Sequence, residues 1–250
     1  MLSKAIVKYV NSLQVKKYRN QHQAFVVEGA KSVLELLQSD FELQHLFITE
    51  DFLREHGNKL GKGIRYELVT EQELTKAGNF SSNNAGLAVA HIPKLPSLQF
   101  KPTDFAIALD DIRDPGNLGT IIRIADWYGI STIVCSETCA DFYNPKTISA
   151  TMGSFTRVKA YYLDLAEWLG KLPKETPIYG ASLDGDNLHR MKLLPQGIVV
   201  MGNEANGIRP EVAEQVNRLI KIPAFGKAES LNVATATAII IDNFMRNASL

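Results

Sequence analysis

Apolar positions along the chain fall into two stretches of alternating strand and helix signals, separated by a proline-rich break. In the first, the run AFVVEG at 24–29 predicts a strand closed by a glycine turn. Val33, Leu34, Leu36 and Leu37 then recur at helical spacing within 30–37. Residues 46–48 predict a second strand, 51–56 a short helix stopped by Gly57, and 64–69 a third strand. Thr70 is a candidate cap for a helix over 71–77, and 86–90 closes the series with a last strand. Pro93, Pro96 and Pro102 then remove backbone donors and restrict local geometry, which predicts an extended linker. The expected organisation is a domain at 1–92, a linker at 93–104 and a second domain at 105–250.

The second stretch restarts with a buried-strand pattern at 105–110. A polar glycine turn and a helix over 120–128 follow, then a strand at 132–135 and a helix over 145–153. Further strands are predicted at 156–161, 178–181, 197–201 and 219–222, with a short helix over 210–215 between the last two. A long helix over 230–245 ends the pattern, and Ala234, Ala236 and Ala238 would let it pack closely. Such alternation predicts an α/β fold with a mostly parallel sheet covered on both faces.

Composition narrows the field. At 250 residues and 45% hydrophobic content, the chain can bury one large core or two modest ones. With 27 basic and 27 acidic residues the net charge is zero, which argues against a nucleic-acid surface spread over the whole molecule and leaves room for a local patch. Residues 1–30 carry +4, and Lys16, Lys17 and Arg19 around Tyr18 form a candidate phosphate-contacting edge. The competing reading of that cluster is a solubilising helix surface. Cys135 and Cys139 are the only cysteines, too few for a disulfide framework or a zinc site, and their spacing is expected to be incidental. No apolar run is long enough to span a bilayer, and the N-terminus lacks the body of a secretory signal, so a reduced, cytoplasmic setting is expected.

Three polar, glycine-bearing segments carry the candidate chemistry. The first, DPGNLGTIIRIAD at 114–126, places Asn117 in a turn after a strand and Arg123 about one helical turn further on. Arg123 is suited to grip a phosphate or a developing oxyanion; a salt bridge stabilising a capped loop is the alternative. The segment has neither the GxGxxG arrangement of dinucleotide sites nor a phosphate-loop lysine. The second segment, GIVVMGNEANGIRP at 197–210, runs a buried strand into a tight loop with Gly202 and Gly207. There Glu204 is a candidate acceptor for loop amides, or a counter-charge for Arg123 or a cationic ligand. The third, IPAFGKAESLNVA at 222–234, brings Ser230, a candidate helix cap, and Asn232 to the start of the last helix. No GxSxG pattern surrounds Ser230, so hydrogen bonding suits it better than nucleophilic attack.

Together and in this order, the three segments of 105–245 resemble the catalytic domain of the SpoU, or TrmH-like, RNA ribose methyltransferases of the SPOUT superfamily. Residues 1–90, through Lys17-Tyr-Arg19 and Phe25-Val-Val-Glu28-Gly29, resemble the ribosomal-protein-like substrate-binding domain of the same family, with Asn83-Asn84-Ala85-Gly86 departing from its usual ending. The resemblance implies a knotted catalytic domain with a C-terminal trefoil knot, and a homodimer whose active site is shared between subunits. It also implies S-adenosylmethionine as cofactor, with Ala181, Ser182, Leu183, Gly185, Met201, Gly202, Ile222 and Leu231 as its lining, and no metal. Arg123 would be the leading catalytic residue, assisted by Asn117, Ser230, Asn232 and Glu204. The implied activity is ribose 2'-O-methylation of structured RNA, ribosomal RNA ahead of transfer RNA. Base methylation and a non-catalytic, ribosome-associated RNA-binding role are the competing readings.

Overall fold

A computed structural model describes residues 1–61 and 63–246. Its first compact unit comprises Met1–Leu95 with Asp141–Thr156, and the second comprises 96–140 with 157–246.

The first unit opens with helix α1 (Lys4–Ser12), whose N-cap Ser3 accepts the Ile6 N–H at 3.2 Å. Helix α2 (Lys16–His22) follows, then strand β1 (Ala24–Glu28), helix α3 (Ala30–Leu37) and strand β2 (Leu43–Ile48). Helix α4 (Glu50–His56) leads to the two-residue strand β3 (Glu67–Leu68). Helix α5 (Glu71–Ala77) starts at a capping box between Thr70 and Glu73, and strand β4 (Gly86–His91) ends the series. The sheet order is β1-β4-β2-β3, with β4 antiparallel to both neighbours and β3 parallel to β2. The strand expected at 64–69 therefore contracts to two exposed residues, because only Glu67 and Leu68 pair with the rest of the sheet.

The second unit contains strand β5 (Phe105–Leu109), helix α6 (Pro115–Trp127) and strand β6 (Thr132–Ser136). Helix α7 (Pro145–Thr151), next in the chain, belongs to the first unit. Strand β7 (Lys159–Leu163), helix α8 (Leu165–Gly170), strand β8 (Ile178–Asn187) and strand β9 (Gly197–Met201) return to the second. Helix α9 (Pro210–Ala213), strand β10 (Arg218–Lys221) and helix α10 (Val233–Met245) complete it. All six strands run parallel in the order β10-β8-β9-β5-β6-β7. One face of the sheet buries Ala108, Ile198 and Val200 with Leu165 and Leu169 of α8 and Val212 of α9. The other packs Phe105 and Tyr179 against Phe244 of α10.

The segment 141–156 explains why β1, an edge strand, is buried along its whole length. Tyr143 and Phe155 pack on Phe25 of β1, and Phe41 joins them. A covered edge cannot recruit a foreign strand. Residues 154–156 form a 3-10 turn within this insertion, so the strand expected at 156–161 begins at Lys159 instead.

Candidate active site

The first polar segment is helical almost from its start, five residues before the expected helix. Asp114 accepts the Asn117 N–H at 2.8 Å and Pro115 occupies the first turn, so capping and a preset φ begin α6 at Pro115. Asn117 thus stands in the first turn of α6. Two turns in, Arg123 is exposed and makes no ion pair or hydrogen bond among the described residues.

Glu204 joins all three segments. Its Oε1 accepts from Asn117 Nδ2 at 3.1 Å, from Asn232 Nδ2 at 2.9 Å and from the Val233 N–H at 3.2 Å. Asn232 Nδ2 also donates to Asn117 Oδ1 at 2.9 Å, so both amide hydrogens of Asn232 are engaged. At its other end, Asn232 Oδ1 accepts from the Ala234 and Thr235 N–H groups and caps α10. This corrects the expectation that Ser230 is the cap: Asn232 is one residue before the first helical position, where a short side chain reaches the free amides. Of the roles open to Glu204, acceptance from loop amides is the one the contacts support, since its partners are Asn117, Asn232 and the Val233 amide.

The expected cofactor residues lie on three neighbouring segments. Strand β8 pairs with β10 at Gly180↔Leu219 and again at Asp186↔Ile220, so residues 181–185 leave the ladder as a wide excursion. Ala181 and Ser182 are half-buried there and Leu183 projects outward. A Cβ on Gly185 would come within 2.5 Å of the Ile220 backbone, and one on Gly202 within 2.3 Å of the Gly207 backbone. Only glycine lets the chain pass this closely. Met201 is buried at the end of β9, and a cavity of about 250 Å³ opens between Ile222, Pro223, Ser230 and Leu231. No backbone hydrogen bond among the described residues engages 224–231. An adenosyl group needs apolar faces and free backbone polar groups at its edge, and this ledge has both.

Further polar groups support the site and went unread in the sequence. Asp111 has φ +59°, and its carbonyl accepts Asn203 Nδ2 at 2.9 Å. Asn203 and Gly207 exchange backbone bonds across the loop that carries Glu204. Burial opposes ionisation of Asp111, but hydrogen bonds from Arg113 and Thr138 and the charges of Arg113 and Arg209 outweigh it and hold its carboxyl below the ordinary value. Cys139, whose spacing from Cys135 was expected to be incidental, braces the same turn: its thiol donates to the Leu109 carbonyl at 3.2 Å and accepts the Ile112 N–H at 3.3 Å. The signal for Asp111 and Asn203 is position, each standing two residues after the end of a buried strand.

In the first unit, Lys16 and Lys17 are exposed on α2, with Lys17 Nζ 6.0 Å from the Tyr18 ring centroid. Arg19 corrects the expectation of a phosphate contact. Its side chain is 2% exposed, with Nη1 donating to the Leu13 and Gln14 carbonyls, both at 2.8 Å, and Nε and Nη2 to Asp141 Oδ2 at 3.0 and 2.5 Å. With four of its five N–H groups bonded and the side chain buried, this guanidinium is out of reach of RNA.

Comparison with known proteins gives the family and the fold. The model of the SpoU rRNA Methylase family matches residues 104–242, and that of the MRM3-like substrate binding domain matches 4–83. The chain is 28% identical over 239 residues to the 23S rRNA (guanosine(2553)-2'-O)-methyltransferase RlmP of Bacillus subtilis (strain 168), covering 94% of each chain. It is similar to the structure of a Porphyromonas gingivalis protein assigned to the TrmH family of RNA methyltransferases, at 35% identity and a TM-score of 0.86 over 99% of this chain and 100% of that one. It is also similar to the AdoMet-bound rRNA methyltransferase from Sinorhizobium meliloti, at 27% identity and a TM-score of 0.86 over 100% and 97% of the two chains.

Proposed function

The chain belongs to the SpoU rRNA Methylase family, and from that premise we propose that it methylates a ribose 2'-hydroxyl in structured RNA, with ribosomal RNA as the favoured substrate and S-adenosylmethionine as cofactor. The observation that carries this reading is the meeting of Asn117, Glu204 and Asn232 from three separate segments beside the ledge of Ile222 and Leu231. S-adenosylmethionine, when bound, supplies a methyl group activated on a sulfonium. Residues 181–185, with Met201, Gly202, Ile222 and Leu231, hold it through backbone groups and apolar contacts.

Arg123 acts on the RNA side. Its planar, permanently charged fork grips phosphate and stabilises negative charge on the ribose oxygen, and it is too weak an acid to serve as an ordinary base. Ser230 orients the ribose by hydrogen bonding. The amides of Asn117 and Asn232, locked by Glu204, fix the loops so that little reorganisation is needed during reaction. Lys16 and Lys17 contact RNA phosphates from the first domain.

The functional unit is a homodimer with a shared active site. Support for this comes from α6, where Trp127 is 83% exposed on the same helix face as Arg123, a large apolar surface for an isolated chain. The tight passes at Gly185 and Gly202 support a knotted C-terminal path. No helix among the described residues is long and apolar enough to cross a membrane, and a cytoplasmic setting suits the two free, buried cysteines.

Transfer of labelled methyl groups from S-adenosylmethionine to total RNA, followed by mapping of the modified nucleotide, tests the reading. Ribose methylation within ribosomal RNA is the expected result. A methyl group on a base, or a folded protein that neither binds the cofactor nor transfers its methyl group, would overturn it.

A further inference from the structure

Side chains at loop tips are only as well placed as the segment that carries them. Glu204 stands in the loop between Met201, the last residue of β9, and Pro210, the first of α9. One residue at the end of β5 holds both ends of that loop. The Asp110 N–H donates to the Met201 carbonyl at 2.8 Å, where the loop begins. Where it ends, Asp110 Oδ2 accepts the Arg209 N–H at 2.8 Å, while Oδ1 accepts Arg209 Nε at 2.8 Å and Nη2 at 2.6 Å. The Asp110 side chain is 0% exposed and that of Arg209 is 35% exposed. A third tie comes from the neighbouring residue, through Asn203 Nδ2 and the Asp111 carbonyl.

Fold stability alone gives little reason for this arrangement. A buried ion pair is often no more stabilising than well-packed apolar side chains of similar volume. What a forked arginine–carboxylate pair adds is fixed distance and orientation. Here it fixes the far end of the segment whose near end the Asp110 N–H already holds and whose tip connects Asn117 with Asn232. Shortening or loosening the fork would move Glu204 relative to both amides, and with it the start of α10.

We propose that Asp110 and Arg209 are positioning residues for methyl transfer, their forked pair holding the 202–209 loop at the span at which Glu204 meets Asn117 and Asn232. The inference rests on the methyltransferase reading above. It assigns a function to two residues that touch neither the ledge nor the three interlocked side chains.

The test compares the full-length wild type with Arg209→Lys, which keeps the charge and the backbone bond to Asp110 but lacks the fork. Asp110→Asn serves as a second variant. Steady-state kinetics, calorimetric titration with S-adenosylmethionine and thermal unfolding are measured on each. Arg209→Lys is expected to fold, to bind the cofactor more weakly and to lower kcat by roughly ten- to a hundred-fold, the scale on which small misplacements act, with KM for RNA unchanged. In Arg209→Ala, whose partly exposed site admits solutes, added guanidinium ion is expected to recover part of kcat and ammonium none. A lowered unfolding temperature with kcat and cofactor affinity of the folded protein intact would mean a structural role only and overturn the inference. A wild type that binds no S-adenosylmethionine would overturn the methyltransferase reading as well, whereas a binding wild type with unaltered Arg209→Lys overturns this inference alone.

Discussion

The two units each hold an arginine that the sequence marks for RNA, and they treat it in opposite ways. In the first unit, Arg19 turns inward from α2 and is consumed by two carbonyls and Asp141, while its neighbours Lys16 and Lys17 face solvent. In the second, Arg123 projects from α6 with every donor free among the described residues, while a nearby loop is tied down by Arg209. Residue type is the same in the two cases, and local charge would favour the wrong one, since Arg19 lies beside Lys16 and Lys17 while Arg123 lies between Asp114 and Asp126. The difference lies in whether the surrounding structure presents acceptors, because a buried guanidinium with four of its five N–H groups bonded is a structural part and an exposed one with none bonded is available to a ligand.

That contrast can be broken most strongly at Arg19. Arg19→Ala is expected to destabilise the protein by about 3–5 kcal/mol, since it leaves Asp141 and two carbonyls without their buried partner. Urea unfolding measures this, and a change near zero would mean that Arg19 is not the internal strut described. Next comes Arg123→Lys, which is expected to reduce methyl transfer on the order of 100-fold with the unfolding midpoint and cofactor affinity unchanged. Full retention of activity would show that charge alone suffices and that the fork has no role. The smallest effect belongs to the exposed lysines. Replacing Lys16 and Lys17 by glutamine is expected to weaken RNA binding without altering kcat, and to lower the salt dependence of binding by roughly one unit of slope per lysine. An unchanged slope would remove α2 from the RNA surface.

Much of this architecture was legible from pattern. The strand at 24–28, the helices at 30–37 and 71–77 and the strand at 197–201 stand where periodicity and caps predict them. The chemistry-bearing segments were legible as motifs, and Asn117, Glu204 and Asn232 are indeed brought together. Boundaries failed where a nonlocal partner decides them. The strand signal at 64–69 contracts to the two residues that pair with β2, and the wide excursion of 181–185 depends on where β10 resumes pairing with β8. Asp110, Asp111 and Asn203 escaped notice, and Cys139 was read only for its spacing, because the contacts that give them their roles involve backbone groups distant in the chain.

Short-range rules acting within a few residues determined most of the element types and the identity of the three polar segments. Apolar periodicity, proline and capping side chains need no distant partner to exert their effect. Tertiary structure alone decided that 141–156 joins the first unit, that Arg19 is internal, and that Asp110 secures both ends of the Glu204 loop. The reason is that a polar side chain's role follows from which donors and acceptors the packed backbone brings to it, and those come from residues tens of positions away in the chain.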